Sequence, residues 1–213
     1  MALKPAVWKR CSRAVCEPMG LVPTKGSRPL WVVPGFRWVL SGVSNDPKPD
    51  EGGCLMVGGK MLGIDSTWSL THMNEQRNGE GRMYLRTVED EVVEDLQLAV
   101  RNVEFDERRL LEWIAYRPIN VLYDTTGVAR LLLGDVPGAI EAFMWWYQYR
   151  NKGRTEAQLE EDPWDPHIRD LGLMLQQGRA AEVFERLDAQ AKVEAAEFGY
   201  ERAPRSQDPF WPR

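Results

Sequence analysis

A change of backbone chemistry partway along the chain limits its folds more than any motif does. Over residues 18–63 glycine and proline are dense, whereas residues 88–198 are rich in Leu, Glu, Ala and Arg. The first composition breaks helices and suits turns between short strands, and the second favours helix at nearly every position. A chain of 213 residues holding both in that order is expected to be α+β, with strands grouped ahead of helices rather than alternating with them. Charge divides similarly: residues 1–48 carry a net +6 and residues 49–213 a net −11. The total of −5 excludes a protein coated all round with basic groups for nucleic acid. No apolar run approaches the ~18 residues that a membrane-spanning helix needs.

Residues 3–17 open with Pro5, tolerated in a first helical turn, and Val7, Cys11, Ala14 and Val15 recur at near-helical spacing. After Pro18 and Gly20 come three β-rich runs, 30–33, 36–43 and 54–64, separated by Pro34-Gly35 and by a loop over 45–53. They predict an antiparallel meander. In the second run Phe36, Trp38 and Leu40 alternate with Arg37, Val39 and Ser41, the pattern of a sheet with one dry and one wetter face. Asn78-Gly79 predicts a turn before a last short strand over 83–86. Thr87 as N-cap, with Glu89, Asp90 and Glu91 in the first turn, starts a helix whose apolar stripe is Val92, Leu96, Ala99, Val100 and Val103. Further helices are expected over 106–116, 118–133, 136–150, 168–177 and 180–198. The division predicted is a helix-plus-meander lobe over 1–86, a helical lobe of αα-hairpins over 87–198 and a flexible tail over 199–213.

One internal similarity stands out. Residues 134–143, Gly-Asp-Val-Pro-Gly-Ala-Ile-Glu-Ala-Phe, resemble the second helix of a tetratricopeptide repeat, and Gly178 followed by Val183 and Leu187 echoes them. The two glycines are 44 positions apart, not the ~34 of that repeat. Helical hairpins are expected, not a repeat array.

Motifs for chemistry are lacking. Cys11, Cys16 and Cys54 cannot all pair within one chain, and their spacing is neither a redox pair nor a zinc knuckle. Lys4, Pro5, Lys9, Arg10 and Arg13 interrupt every apolar stretch at the N-terminus, so no secretory segment is read and a cytoplasmic protein with free thiols is expected. The same basic residues would favour the thiolates of Cys11 and Cys16 if those were exposed. His72 and His167 are 95 positions apart, and the spacing of Asp170 from His167 is weak evidence for a metal site. Gly52-Gly53 and Gly58-Gly59 open no phosphate loop, and no nucleophile elbow occurs. No metal, cofactor or catalytic residue is therefore expected, and the chain reads as a non-enzymatic protein.

Surface chemistry carries what remains. Residues 144–150 hold Trp145, Trp146, Tyr147 and Tyr149, and on a helix these rings nearly encircle the axis. One side packs on a neighbouring hairpin, and the other meets a second element or a partner, for which Trp, Tyr and Arg are the characteristic anchors. Acids cluster at 89–95, at 104–107, and at Glu156, Glu160, Glu161, Asp162 and Asp165. Such runs are usually solvated helix faces, but together they would steer a basic partner by long-range field. The third cluster, with Trp145, Trp146 and Tyr149, is the expected protein-binding surface. An alternative places a nucleic-acid-stacking face on the basic meander, at Lys25, Arg28, Arg37 and Trp38. The structural reading of those residues is tryptophan packing against the first helix.

The succession of a first helix, the Gly20-Leu21 step, Lys25, a meander bearing Trp31 and the 134–143 segment resembles small bacterial α+β domains encoded beside polymorphic toxins, the immunity-type proteins. The resemblance covers the layout of residues 3–150. It implies a cytosolic binder that neutralises one cognate toxin, without shared catalytic residues. The 45–53 loop and the residues after Gly199 have no counterpart in that layout.

Overall fold

The computed structural model describes residues 3–46, 54–64, 83–84, 88–116, 123–161 and 165–204. Helix α1 (Pro5–Cys16) leads into strands β1 (Val22–Pro23), β2 (Trp31–Val32), β3 (Val39–Asp46), β4 (Cys54–Met61) and β5 (Met83–Tyr84). Helices α2 (Glu89–Val100), α3 (Glu107–Tyr116), α4 (Tyr123–Leu132), α5 (Val136–Arg150), α6 (Glu156–Glu161), α7 (Pro166–Gln176) and α8 (Ala180–Phe198) follow. The fold is α+β, and the strands pair antiparallel in the order β1-β2-β3-β4-β5. Internal contacts gather the chain into two compact units, Met1–Glu107 with Ala191–Gln207, and Arg108–Gln190 with Asp208–Arg213.

In the first unit, the expectation of one wetter sheet face fails. Residues 39–45 are all buried, because side chains on both faces of β3 and β4 meet other elements. On one face the Ser41 hydroxyl donates to the Glu104 carbonyl at 2.9 Å. On the other, Lys60, opposite Leu40, reaches Glu194 of α8 at 3.4 Å, with both side chains under 10 % exposed. Alternation along a strand separates two faces but does not say that either is wet. β3 also starts at Val39 rather than at 36 and runs on to Asp46, into the expected loop. The late start has a clear cause: the Glu107 carboxylate accepts from the backbone N–H groups of Arg37, Trp38 and Val39 at 2.5–3.1 Å, removing them from strand pairing. Gly42 is required where β2 pairs with β3, since a Cβ there would fall on the Trp31 carbonyl.

Residues 200–204 are not the start of a free tail. Tyr200 is buried, and its hydroxyl accepts from the Phe36 N–H at 2.8 Å and lies 3.0 Å from the Val33 carbonyl. Arg37 Nη1 donates to the Ala203 carbonyl at 2.9 Å, and Arg202 Nε returns a bond to the Arg37 carbonyl at 2.6 Å. These contacts satisfy the backbone of the turn before β3, which no strand pairing serves. Trp31 Nε1, Ser44 Oγ and both amide atoms of Asn45 have no hydrogen-bond partner among the described residues.

In the second unit, α5 packs against α4 and against α7. Phe143 is fully buried at the centre, and a Cβ on Gly127 of α4 would overlap its ring. A Cβ on Gly172 of α7 would press on Met144. Missing side chains thus allow the helices to approach. The echo between Gly134 and Gly178 is one turn chemistry used twice: each glycine is left-handed, at φ 82° and 74°, and the next residue's N–H bonds a carbonyl five positions back. Asp135 caps α5 by accepting from Gly138 N–H at 2.9 Å.

Helix starts differ in detail from expectation. α2 begins at Glu89 with Val88 as an extended N-cap and no side-chain cap; Thr87 lies outside the described residues, as do 85–86, 117–122 and 205–213. α7 begins at Pro166, two residues early, after Asp165 at φ 53°. α6 was not expected. It opens with a reciprocal cap in which Gln158 N–H donates to Thr155 Oγ1 at 3.3 Å and Thr155 N–H donates to Gln158 Oε1 at 2.9 Å.

Candidate functional site

The outward face of α5 is the feature that packing does not absorb. Its inner positions, Ala139, Ala142, Phe143 and Tyr147, are buried, which turns Glu141, Trp145, Gln148 and Tyr149 outward. Glu141, Trp145 and Tyr149 follow at i, i+4 and i+8, so they form one row. Trp145 and Tyr149 stack with centroids 5.0 Å apart and planes 7° from parallel, at 38 % and 53 % exposure. Trp146 lies 6.0 Å from Tyr149 on its other neighbour position.

Two cations order this face. The Arg150 guanidinium lies 5.6 Å over the Trp146 ring, while its Nε donates to Asp165 Oδ2 at 3.0 Å. Arg130 donates to the Ala115 and Gly138 carbonyls at 3.0 and 3.2 Å and stands 3.6 Å from Glu141. Glu141 itself is 80 % exposed. Near the start of α4, burial pushes the Asp124 carboxyl above the usual range, with Asp165 adding to the effect and His167 opposing it.

The structure therefore brings Trp146 and Asp165 to Arg150, a residue that the sequence reading did not single out, and joins Trp146 through Tyr149 to the Trp145–Tyr149 stack. Glu141 was missed as well, although its four-residue spacing to Trp145 was legible. Asp165, expected in the acidic binding cluster, pairs with Arg150 at 3.0 Å. Glu156 is exposed at the start of α6; the side chains of Glu160 and Glu161 and all of Asp162 lie outside the described residues. The other acid clusters are partly internal. Glu89 makes a two-bond pair with Arg10 at 2.5 and 2.6 Å, which holds its carboxyl below the usual range. Asp95 is buried, and Glu107 serves the backbone before β3.

Of the four residues expected for nucleic-acid stacking, Arg37 and Trp38 are buried. Trp38 is 2 % exposed, with the Arg37 and Arg202 guanidinium groups 5.6 and 5.1 Å over its ring, so no base can reach it. Arg28 Nη2 donates to the Leu3 carbonyl at 2.7 Å, and the exposed Lys25 lays its stem along Gly199. Nor are the thiols activated. Burial and Glu89 push the Cys11 thiol up, and burial alone raises Cys16 from its ordinary 9.0 to about 12. Both are free and buried, while the Cys54 side chain and His72 lie outside the described residues.

Among the described residues no group of three His, Cys, Asp or Glu side chains is placed to hold a metal ion, and no helix is long and apolar enough to cross a membrane. Comparisons of the chain with protein-family models, with curated proteins and with solved structures return no match.

Proposed function

We propose that this chain is a non-enzymatic protein-binding module that captures a basic protein on the outer face of α5, acting in the cytosol in the manner of an immunity-type inhibitor. The exposed Trp145–Tyr149 stack carries this reading. Two large rings fixed against each other present apolar area whose ordering entropy is largely lost before binding, the condition under which aromatic anchors become hot spots. The net charge of −11 over residues 49–213 supplies a field that raises the encounter rate with a basic partner. Buried free thiols at Cys11 and Cys16 suit a reducing compartment.

The test compares wild-type protein with a Trp145→Ala/Tyr149→Ala variant as baits in nuclease-treated host extract, followed by kinetics on the purified partner. A single stoichiometric basic protein is expected, bound about 30-fold or more weakly by the variant, with an association rate that falls as salt rises. A partner held equally by both baits refutes the assignment to this face.

A further inference from the structure

The second unit already contains one arginine held in a two-part manner. Arg150 places its guanidinium over the Trp146 ring at 5.6 Å and donates Nε to a carboxylate, Asp165, at 3.0 Å. The same two chemistries recur side by side on the exposed row of α5. The Trp145–Tyr149 stack offers an aromatic face at 38 % and 53 % exposure, and Glu141, 80 % exposed, stands one turn earlier on that row. Residues at i and i+4 on a helix have Cβ atoms about 5–6 Å apart. A planar cation with N–H donors engages both at once.

From this repetition we propose that the row Glu141, Trp145 and Tyr149 is an arginine-reading surface, its occupant an arginine side chain of a basic protein partner. The inference rests on the function proposed above and names its ligand chemistry. The guanidinium lies over the stacked rings and donates to the Glu141 carboxylate. Lysine fits less well, since a compact, strongly hydrated ammonium neither stacks on a ring nor forks onto a carboxylate. Glu141 is available for this purpose because its existing partner, Arg130, is 3.6 Å away and is separately fixed by the Ala115 and Gly138 carbonyls.

Titration of the full-length protein with two synthetic peptides of equal charge and spacing, one alternating Gly with Arg and the other Gly with Lys, tests this at about 0.15 M salt. The arginine peptide is expected to bind at least fivefold more tightly. Trp145→Ala and the isosteric Glu141→Gln should each abolish the preference, and Asp170→Asn, at an exposed acid away from the row, should leave it intact. Equal affinity for the two peptides, binding of neither, or a preference that survives both row variants overturns the inference. A captured partner whose binding depends on Trp145 and Tyr149 would stand despite such a failure. Conversely, an arginine preference with no captured partner would overturn only the inhibitor reading.

Discussion

The two units differ in how their described tryptophans are used. In the first, Trp8, Trp31 and Trp38 are at most 2 % exposed, and the Trp8 indole N–H donates to the Pro29 carbonyl at 3.0 Å. In the second, Phe143 is fully buried, yet two residues later on the same helix Trp145 is 38 % exposed and stacks on a still more exposed Tyr149. Residue type is the same in kind throughout. What differs is the number of sides on which each element is covered: β3 meets neighbours on both faces, whereas α5 meets α4 and α7 and leaves one face to solvent. A large ring states a preference for burial, and the neighbours of its element decide whether that preference is met.

The contrast within α5 yields the largest expected effect. Phe143→Ala should destabilise the protein by about 3–5 kcal/mol in urea unfolding, because the backbone of α4 at Gly127 lies against the ring and leaves little side chain to collapse into the cavity. In the first unit, Glu107→Ala should cost about 3 kcal/mol by the same measurement, since three consecutive N–H groups lose their acceptor. Glu107→Gln, which keeps one oxygen, should cost less than half as much. If both changes are silent, Arg37–Val39 are held by something other than this carboxylate.

Alkaline pH sharpens the comparison further. Cys16, raised from 9.0 to about 12, and Tyr200, raised above its ordinary 10.0, both belong to the first unit. Below about pH 9 the folded and unfolded states hold these protons equally. Above it the unfolded chain releases them first, so stability should fall progressively between about pH 9 and 12, by about 1.4 kcal/mol per pH unit for each group in its range. Urea midpoints measured across that range check the sign, and a flat profile would mean that neither group is sealed from water. The smallest effect is expected at Trp145→Ala, within about 0.5 kcal/mol of wild type in stability. A loss approaching that of Phe143→Ala would break the comparison, because Trp145 would then be a packing residue and not part of an exposed face.

Local signals were readable in proportion to how local their physics is. The bounds of α5 and α8 follow from an Asp cap, a first-turn proline and left-handed glycines, all acting within one turn of the helix end. The reciprocal Thr155–Gln158 cap of α6 belonged to the same class and was present in the sequence unread. By contrast, the start of β3 depends on Glu107, about 70 positions away. The cover of the second sheet face includes Glu194, farther still. No periodicity in the strand itself encodes either.

The candidate site divides along the same line. Its aromatic density, the acidic rear and the missing metal and nucleophile motifs are properties of composition and spacing, and the sequence alone determined them. Which rings face outward, that Trp38 is sealed beneath Arg37 and Arg202, and that Asp165 answers Arg150 were decided by the tertiary structure. The physical reason is that burial is a property of surfaces brought together by distant segments. A helix specifies its rows of side chains locally, but only the glycines of α4 and α7 that close on Phe143 determine which row is left exposed.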